Sequence, residues 1–127
     1  MEAIKLLVFD IDGTLIDRTQ TDIQPSTKLA IEKAREKGYE VLVATGRSFF
    51  LIQDDVRTSI NPDYYVSVNG ACLNNQDGSI LLTHGFSEES TKRLIDYCLK
   101  HQFPIGVKYA DYIGVYGDYY AFASQYM

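Results

Sequence analysis

The chain is 127 residues long, 46% hydrophobic and 23% charged, with a formal net charge of −5. A chain of this size buries roughly two-thirds of its unfolded surface, enough for a core without metal or disulfide staples, and the composition is that of a soluble globular protein. The acidic balance gives no footprint for nucleic acid or an anionic membrane, and no run approaches the ~18 apolar residues of a membrane span.

No export signal is visible, and Cys72 and Cys98 lack zinc-type spacing. Both thiols are therefore expected to stay reduced in a cytoplasmic protein. Ile4-Lys5-Leu6-Leu7-Val8-Phe9 reads as a strand buried on both faces of a parallel sheet, and the polar segment from Asp10 to Asp17 as the loop at its carboxyl end. Pro25-Ser26-Thr27 opens a helix whose apolar positions are Leu29, Ala30, Ile31 and Ala34, and Gly38 closes it. The charged run at 32–37 reads as its solvated face. Val41–Ala44 is the next strand, ending in Thr45-Gly46-Arg47.

A second helix is predicted from Ser48 to about Val56, packing through Phe49, Phe50 and Ile52. Tyr64–Val68 is a third strand, closed by Asn69-Gly70. The period then changes to a hairpin over Ala71–His84 with Asp77-Gly78 at its turn. Ser87 caps a helix carrying Glu88 and Glu89 in its first turn, with Leu94, Ile95, Cys98 and Leu99 as its apolar face. Short β segments follow near Ile105–Tyr109 and Tyr112–Tyr116. The first part is thus βαβαβ and the remainder antiparallel α+β.

In open α/β sheets, sites lie outside the carboxyl ends of the strands. Asp10, Asp12, Thr45, Gly46 and Asn69 all fall there. Of two carboxylates in Asp10-Ile11-Asp12-Gly13, one can attack phosphorus and the other can move the proton. Gly13 lets the backbone approach an anion. A phosphate dianion beside carboxylates is repelled by about 4 kcal/mol per charge pair at 4 Å and an effective dielectric near 20, so a bridging cation is required, and oxygen ligands favour Mg²⁺. The bland alternative is a turn-rich loop. An EF-hand loop fails, because Leu15 stands where its glycine belongs and Thr21 where its glutamate belongs. Thr45-Gly46-Arg47 before a helix is an anion cradle or, more simply, a helix cap. His84 and His101 read as capping or solvent-facing residues.

Asp10-Ile11-Asp12-Gly13-Thr14-Leu15 after its apolar strand resembles the first motif of the haloacid dehalogenase (HAD) superfamily of phosphohydrolases. Val43-Ala44-Thr45-Gly46-Arg47 resembles the second, and Val68-Asn69-Gly70-Ala71 is similar to the entry into the cap of the Cof-type, type IIB, subgroup. The resemblance implies an α/β fold: a Rossmann-like three-layer core with a parallel sheet, incomplete here, in residues 1–70, and part of an α+β cap in 71–127. It implies that Asp10 is nucleophile and Mg²⁺ ligand, and that Asp12 is general acid/base with its backbone carbonyl on the metal. Gly13, Thr45, Gly46, Arg47 and Asn69 would bind phosphate or substrate, a small phosphorylated metabolite such as a sugar phosphate.

The family's later lysine and acidic motif are missing from this chain; Lys108 and Gly117-Asp118 do not replace them. Two functional expectations follow. One is a Mg²⁺-dependent phosphatase, or a phosphomutase with the same nucleophile, weakly active or inactive in this shortened form. The other is a non-catalytic remnant that binds Mg²⁺ or phosphate or serves as an interaction module. With later core strands absent, the first strand becomes an apolar edge, and self-association through it or through the unfinished cap is expected.

Overall fold

A computed structural model describes residues 5–126, within which the apolar run at the start forms β1 (Leu6–Phe9). α1 (Pro25–Glu36) follows, with proline in its first turn, and Gly38 at φ +80° donates its N–H to the Arg35 carbonyl at 2.8 Å. β2 (Glu40–Ala44) and β3 (Tyr64–Ser67) run parallel to β1, in register Phe9↔Val43↔Tyr65. β4 (Cys72–Asn75) and β5 (Ile80–Thr83) form the hairpin about Asp77-Gly78. β4 pairs antiparallel with β3, giving a single sheet in the order β1-β2-β3-β4-β5.

Two compact units divide at His84/Gly85 rather than after Gly70. The physical reason is that the hairpin continues the backbone ladder of β3, so residues 71–84 belong with the first sheet. The second unit contains α2 (Glu88–Lys100), the β6 (Ile105–Lys108) and β7 (Ile113–Tyr116) pair, and α3 (Tyr119–Tyr126). Ser87 caps α2 by accepting from the Ser90 N–H. On its apolar side Ile95 and Cys98 are half-buried, whereas Leu94 and Leu99 are exposed. No helix among the described residues is long and apolar enough to cross a membrane.

The core lies on one face of the first sheet. Val41, Val43 and Tyr65 pack there with Ile31 of α1 and with Ile52, Val56 and Ile60. Alternate strand residues point the other way, and Leu6 and Val8 are 39% and 57% exposed. β1 is therefore not buried on both faces as its sequence suggested: it pairs with β2 alone and stands at the sheet edge. Among the described residues, the covering elements all join the Val41/Val43 cluster. Ile4, counted in the predicted strand, lies outside the described residues.

The predicted helix from Ser48 to Val56 does not form. A 3₁₀ turn at Phe49–Leu51 ends with Ile52 in extended backbone, and a wide turn follows at Val56–Ile60. β-Branched residues weaken the helical alternative, and Asp55 is recruited elsewhere. Its carboxylate accepts from the Ile23 N–H at 2.9 Å, from Lys28 Nζ at 2.6 Å and from the Ser59 hydroxyl. Ile52 is buried and Phe49 packs edge-on against Tyr65 at 5.0 Å, but Phe50 is exposed. The α1 expectation is corrected similarly: Ile31 is buried while Leu29 faces outward. Arg35, counted in a solvated run, is half-buried and binds Asp63 and the Asn61 carbonyl.

These hydrogen bonds and Lys28 hold the Asp55 carboxyl at about 2, below its ordinary 3.8. A depressed carboxyl stabilises the fold above its unfolded value, and that contribution disappears as pH falls through the folded one. Asp55→Asn should therefore lower stability by about 1–2 kcal/mol near neutral pH. Thermal unfolding of both proteins from pH 7 down to pH 2 should show the difference shrinking below pH 4 and vanishing near the lower limit.

Candidate active site

Alternation of polar and apolar residues fixes the loop after β1. Ile11, Leu15 and Ile16 are buried at 0%, 3% and 5% exposure, while Asp10, Asp12, Gly13 and Thr14 between and before them stay exposed. Backbone bonds close the loop: Leu15 N–H donates to the Asp10 carbonyl at 3.2 Å, and Ile16 N–H to that of Ile11 at 2.9 Å. Gly13 takes φ +90°, and its own N–H donates to the Ile16 carbonyl at 2.8 Å. The two aspartates are thus presented on a rigid turn.

The parallel register sets Asp10 level with Ala44, at the same rim as Thr45. Thr45 is buried, and its hydroxyl oxygen accepts from the Arg47 N–H at 3.1 Å. Arg47 then reaches back across 35 positions of sequence to Asp12. Its Nε donates to Oδ2 at 2.9 Å and its Nη2 to Oδ1 at 2.8 Å, a two-pronged fork, while Nη1 donates to the Leu51 carbonyl at 3.3 Å. This fork is the main cause that lowers the Asp12 carboxyl below its usual range; slight burial opposes it, and the Arg47 and Arg18 charges reinforce it.

The turn after β3 completes the rim. Val68 N–H donates to the Arg47 carbonyl at 2.8 Å and Asn69 N–H to the Thr45 carbonyl at 3.3 Å. The Asn69 side chain lies over Gly46, its Oδ1 2.6 Å from where a Cβ would stand. Asp12, Thr45, Gly46, Arg47 and Asn69 therefore form one connected set, with Asp10 beside them on the rim. Sequence reasoning missed the buried anchors Leu15 and Ile16, whose signal was their spacing within a polar loop. It also missed the pairing of Asp12 with Arg47, for which no local signal exists.

A chain with this loop and cradle at neighbouring strand ends matches the haloacid dehalogenase-like hydrolases over residues 7–125. It belongs to that family. A phosphomannomutase of Babesia bovis is 26% identical over 102 residues, 76% of this chain and 41% of that protein. Phosphatase YwpJ of Bacillus subtilis is 31% identical over 81 residues, 61% of this chain and 27% of its own length. The solved structure of the HAD subclass IIB sugar phosphatase BT4131 superposes with a TM-score of 0.71 at 31% identity, covering 87% of this chain and 43% of that one. The Rossmann-like α/β fold is that of a Geobacillus kaustophilus protein, TM-score 0.80 at 28% identity over 98% of this chain and 50% of that chain. This HAD chain spans half or less of each of these relatives, and it corresponds to the N-terminal part of the Cof-type members.

Replacing Arg47 with alanine removes both prongs from Asp12. The Asp12 carboxyl should then titrate closer to the ordinary aspartate value, an upward shift visible by carbon-detected NMR. An unmoved titration in Arg47→Ala would contradict the fork as its cause.

Proposed function

We propose that this chain carries the phosphoryl-handling part of a cytoplasmic HAD-type phosphohydrolase acting on small phosphorylated metabolites such as sugar phosphates. The observation that carries the reading is the exposed Asp10/Asp12 loop, anchored by Ile11, Leu15 and Ile16 beside the Thr45-Gly46-Arg47 cradle. An Asp10 carboxylate oxygen attacks phosphorus as the bond to the leaving oxygen breaks, giving an aspartyl phosphate. Asp12 gives that leaving oxygen a proton, then takes one from the water that attacks the phosphorus, restoring Asp10 and freeing phosphate. The Thr45 hydroxyl, the Gly46 N–H and Arg47 hold phosphoryl oxygens, and Gly13 and Asn69 shape the approach. Arg47 must leave Asp12 for this, because both carboxylate oxygens are engaged by the fork.

Phosphatases of this superfamily generally use Mg²⁺. Such an ion offsets repulsion between the carboxylates and the incoming phosphate. Asp10 and the Asp12 carbonyl offer suitable hard oxygen donors, yet no group of three or more ligating side chains comes together among the described residues. Weak or absent turnover by this chain alone follows from the lysine and acidic motif that its sequence does not contain.

Hydrolysis of p-nitrophenyl phosphate with Mg²⁺, comparing the wild type with Asp10→Asn, tests the reading. Slow turnover that falls to the uncatalysed background in Asp10→Asn is expected. Turnover that survives the substitution removes the aspartyl-phosphate route. No turnover in either protein, with Mg²⁺ or phosphate binding retained, favours the remnant that binds but does not catalyse.

We also propose that the open edge of β1 pairs with a second copy. Antiparallel pairing about a two-fold axis at Leu7 sets Leu6 of one copy against Val8 of the other on the same exposed face. β1 ends the strand order of its sheet and pairs with β2 alone, which leaves its other backbone edge open. Light scattering should show a dimer that Val8→Lys returns to monomer; a clean wild-type monomer at high concentration excludes it.

A further inference from the structure

Gly46 does not owe its identity to backbone conformation, since it is absent from the positive-φ residues of the chain. What excludes a side chain there is Asn69, whose Oδ1 stands 2.6 Å and whose Cγ stands 3.5 Å from the position a Cβ would take. Asn69 is itself held in an unusual place. Val68, Asn69 and Gly70 take φ values of 53°, 54° and 92° in succession. Glycine adopts such angles readily and asparagine tolerates them, but a β-branched valine there is a strained outlier. Strain of this kind persists only where the surroundings enforce it, and it gathers at functional sites. The enforcing contacts are the Val68 and Asn69 N–H bonds to the Arg47 and Thr45 carbonyls, at 2.8 and 3.3 Å.

From this we propose that the Val68-Asn69-Gly70 turn is a brace and that Asn69, seated over Gly46, is the positioning residue that sets the backbone of the Thr45-Gly46-Arg47 loop. The two segments form one unit. Two backbone bonds fix their separation, and the amide fills the space that a larger residue at 46 would claim. Under the phosphoryl-binding reading above, on which this deepening rests, the brace holds the cradle's backbone in its binding shape before any ligand arrives, and only the Arg47 side chain has still to move. Rotation of the loop is then already restricted, and less ordering is needed on binding.

Asn69→Gly is the informative change, because glycine accepts the left-handed angle and the variant keeps its fold. The probe is orthophosphate, titrated into the full chain with Mg²⁺ while the amide signals of Thr45, Gly46 and Arg47 are followed by NMR. Melting temperatures are recorded alongside. Asn69→Gly is expected to melt close to wild type, with shifted Gly46 and Arg47 signals in the free protein and phosphate affinity lower by roughly tenfold as the loop loses the side chain packed over Gly46. A residue serving the turn alone would leave those signals and that affinity unchanged, and such a result overturns the proposal.

Gly46→Ala should melt lower through collision with the Asn69 amide, and Gly46→Ala/Asn69→Gly should regain most of that loss. Failure of the double variant to recover overturns the packing on which the brace depends. A wild-type chain that shows no response to orthophosphate counts against the phosphoryl reading instead, and the brace is then decided by the free-protein signals and the recovery alone.

Discussion

Parallel pairing of β1, β2 and β3 is the constraint on which everything else in the first unit rests. The register Phe9↔Val43↔Tyr65 makes three strands finish at one rim, and each strand end delivers a short polar segment there. The pairing is secured from one side. Val41 and Val43 are fully buried beneath Ile31, Val56 and Ile60, and Tyr65 is closed off by the edge of Phe49. Burying side chains of this size is worth ~1.5–3 kcal/mol each, more than any single polar contact at the rim can contribute. The core therefore holds the geometry, and the rim residues are free to serve other ends.

That division shows in the Asp12–Arg47 pair. With the side chains 53% and 36% exposed, the pair lies where ion pairs contribute about 0–1 kcal/mol to stability. Its two-pronged form still fixes direction, because a planar guanidinium matches a carboxylate in one orientation only. The fork thus orients more than it stabilises. It ties the loop after β1 to the loop after β2, across two segments that the core has already brought close.

Much of this was legible in the sequence wherever the determining interactions are local. Pro25 and Gly38 bracket α1, Asp77-Gly78 turns the hairpin, Ser87 starts α2, and the polar motifs fall at strand ends as alternation requires. Legibility failed where partners are distant. The segment from Ser48 to Val56 carries the apolar residues of a predicted helix, but Asp55 is claimed by Ile23 and Lys28, some thirty positions away, and the helix gives way to a 3₁₀ turn and a wide turn. An apolar run such as Leu6–Phe9 says that a strand wants burial and is silent on how many faces receive it. α3 is rich in aromatic residues whose helix propensity is modest, and its local start signal is Asp118 alone, whose carboxylate accepts from the Ala121 N–H at 3.0 Å. The positive φ of Val68 contradicts its own propensity and could be found only in the folded chain.

The candidate site couples these two kinds of information. Asp10, Asp12 and Thr45 are recognisable as residue types at strand ends, but their chemistry depends on contacts that sequence does not order. An Asp12 held in a fork with Arg47 is favoured in its ionised form, which suits a base and not an acid. On the proposed reading, an incoming phosphoryl group competes for the same guanidinium, since phosphate and carboxylate offer it similar oxygen pairs. Arrival of the anion then releases the carboxylate it needs, and the negative charge brought beside Asp12 favours its protonated form. One cation would thereby link binding to the readiness of the proton donor, so that Asp12 becomes an acid only when there is a leaving group to protonate.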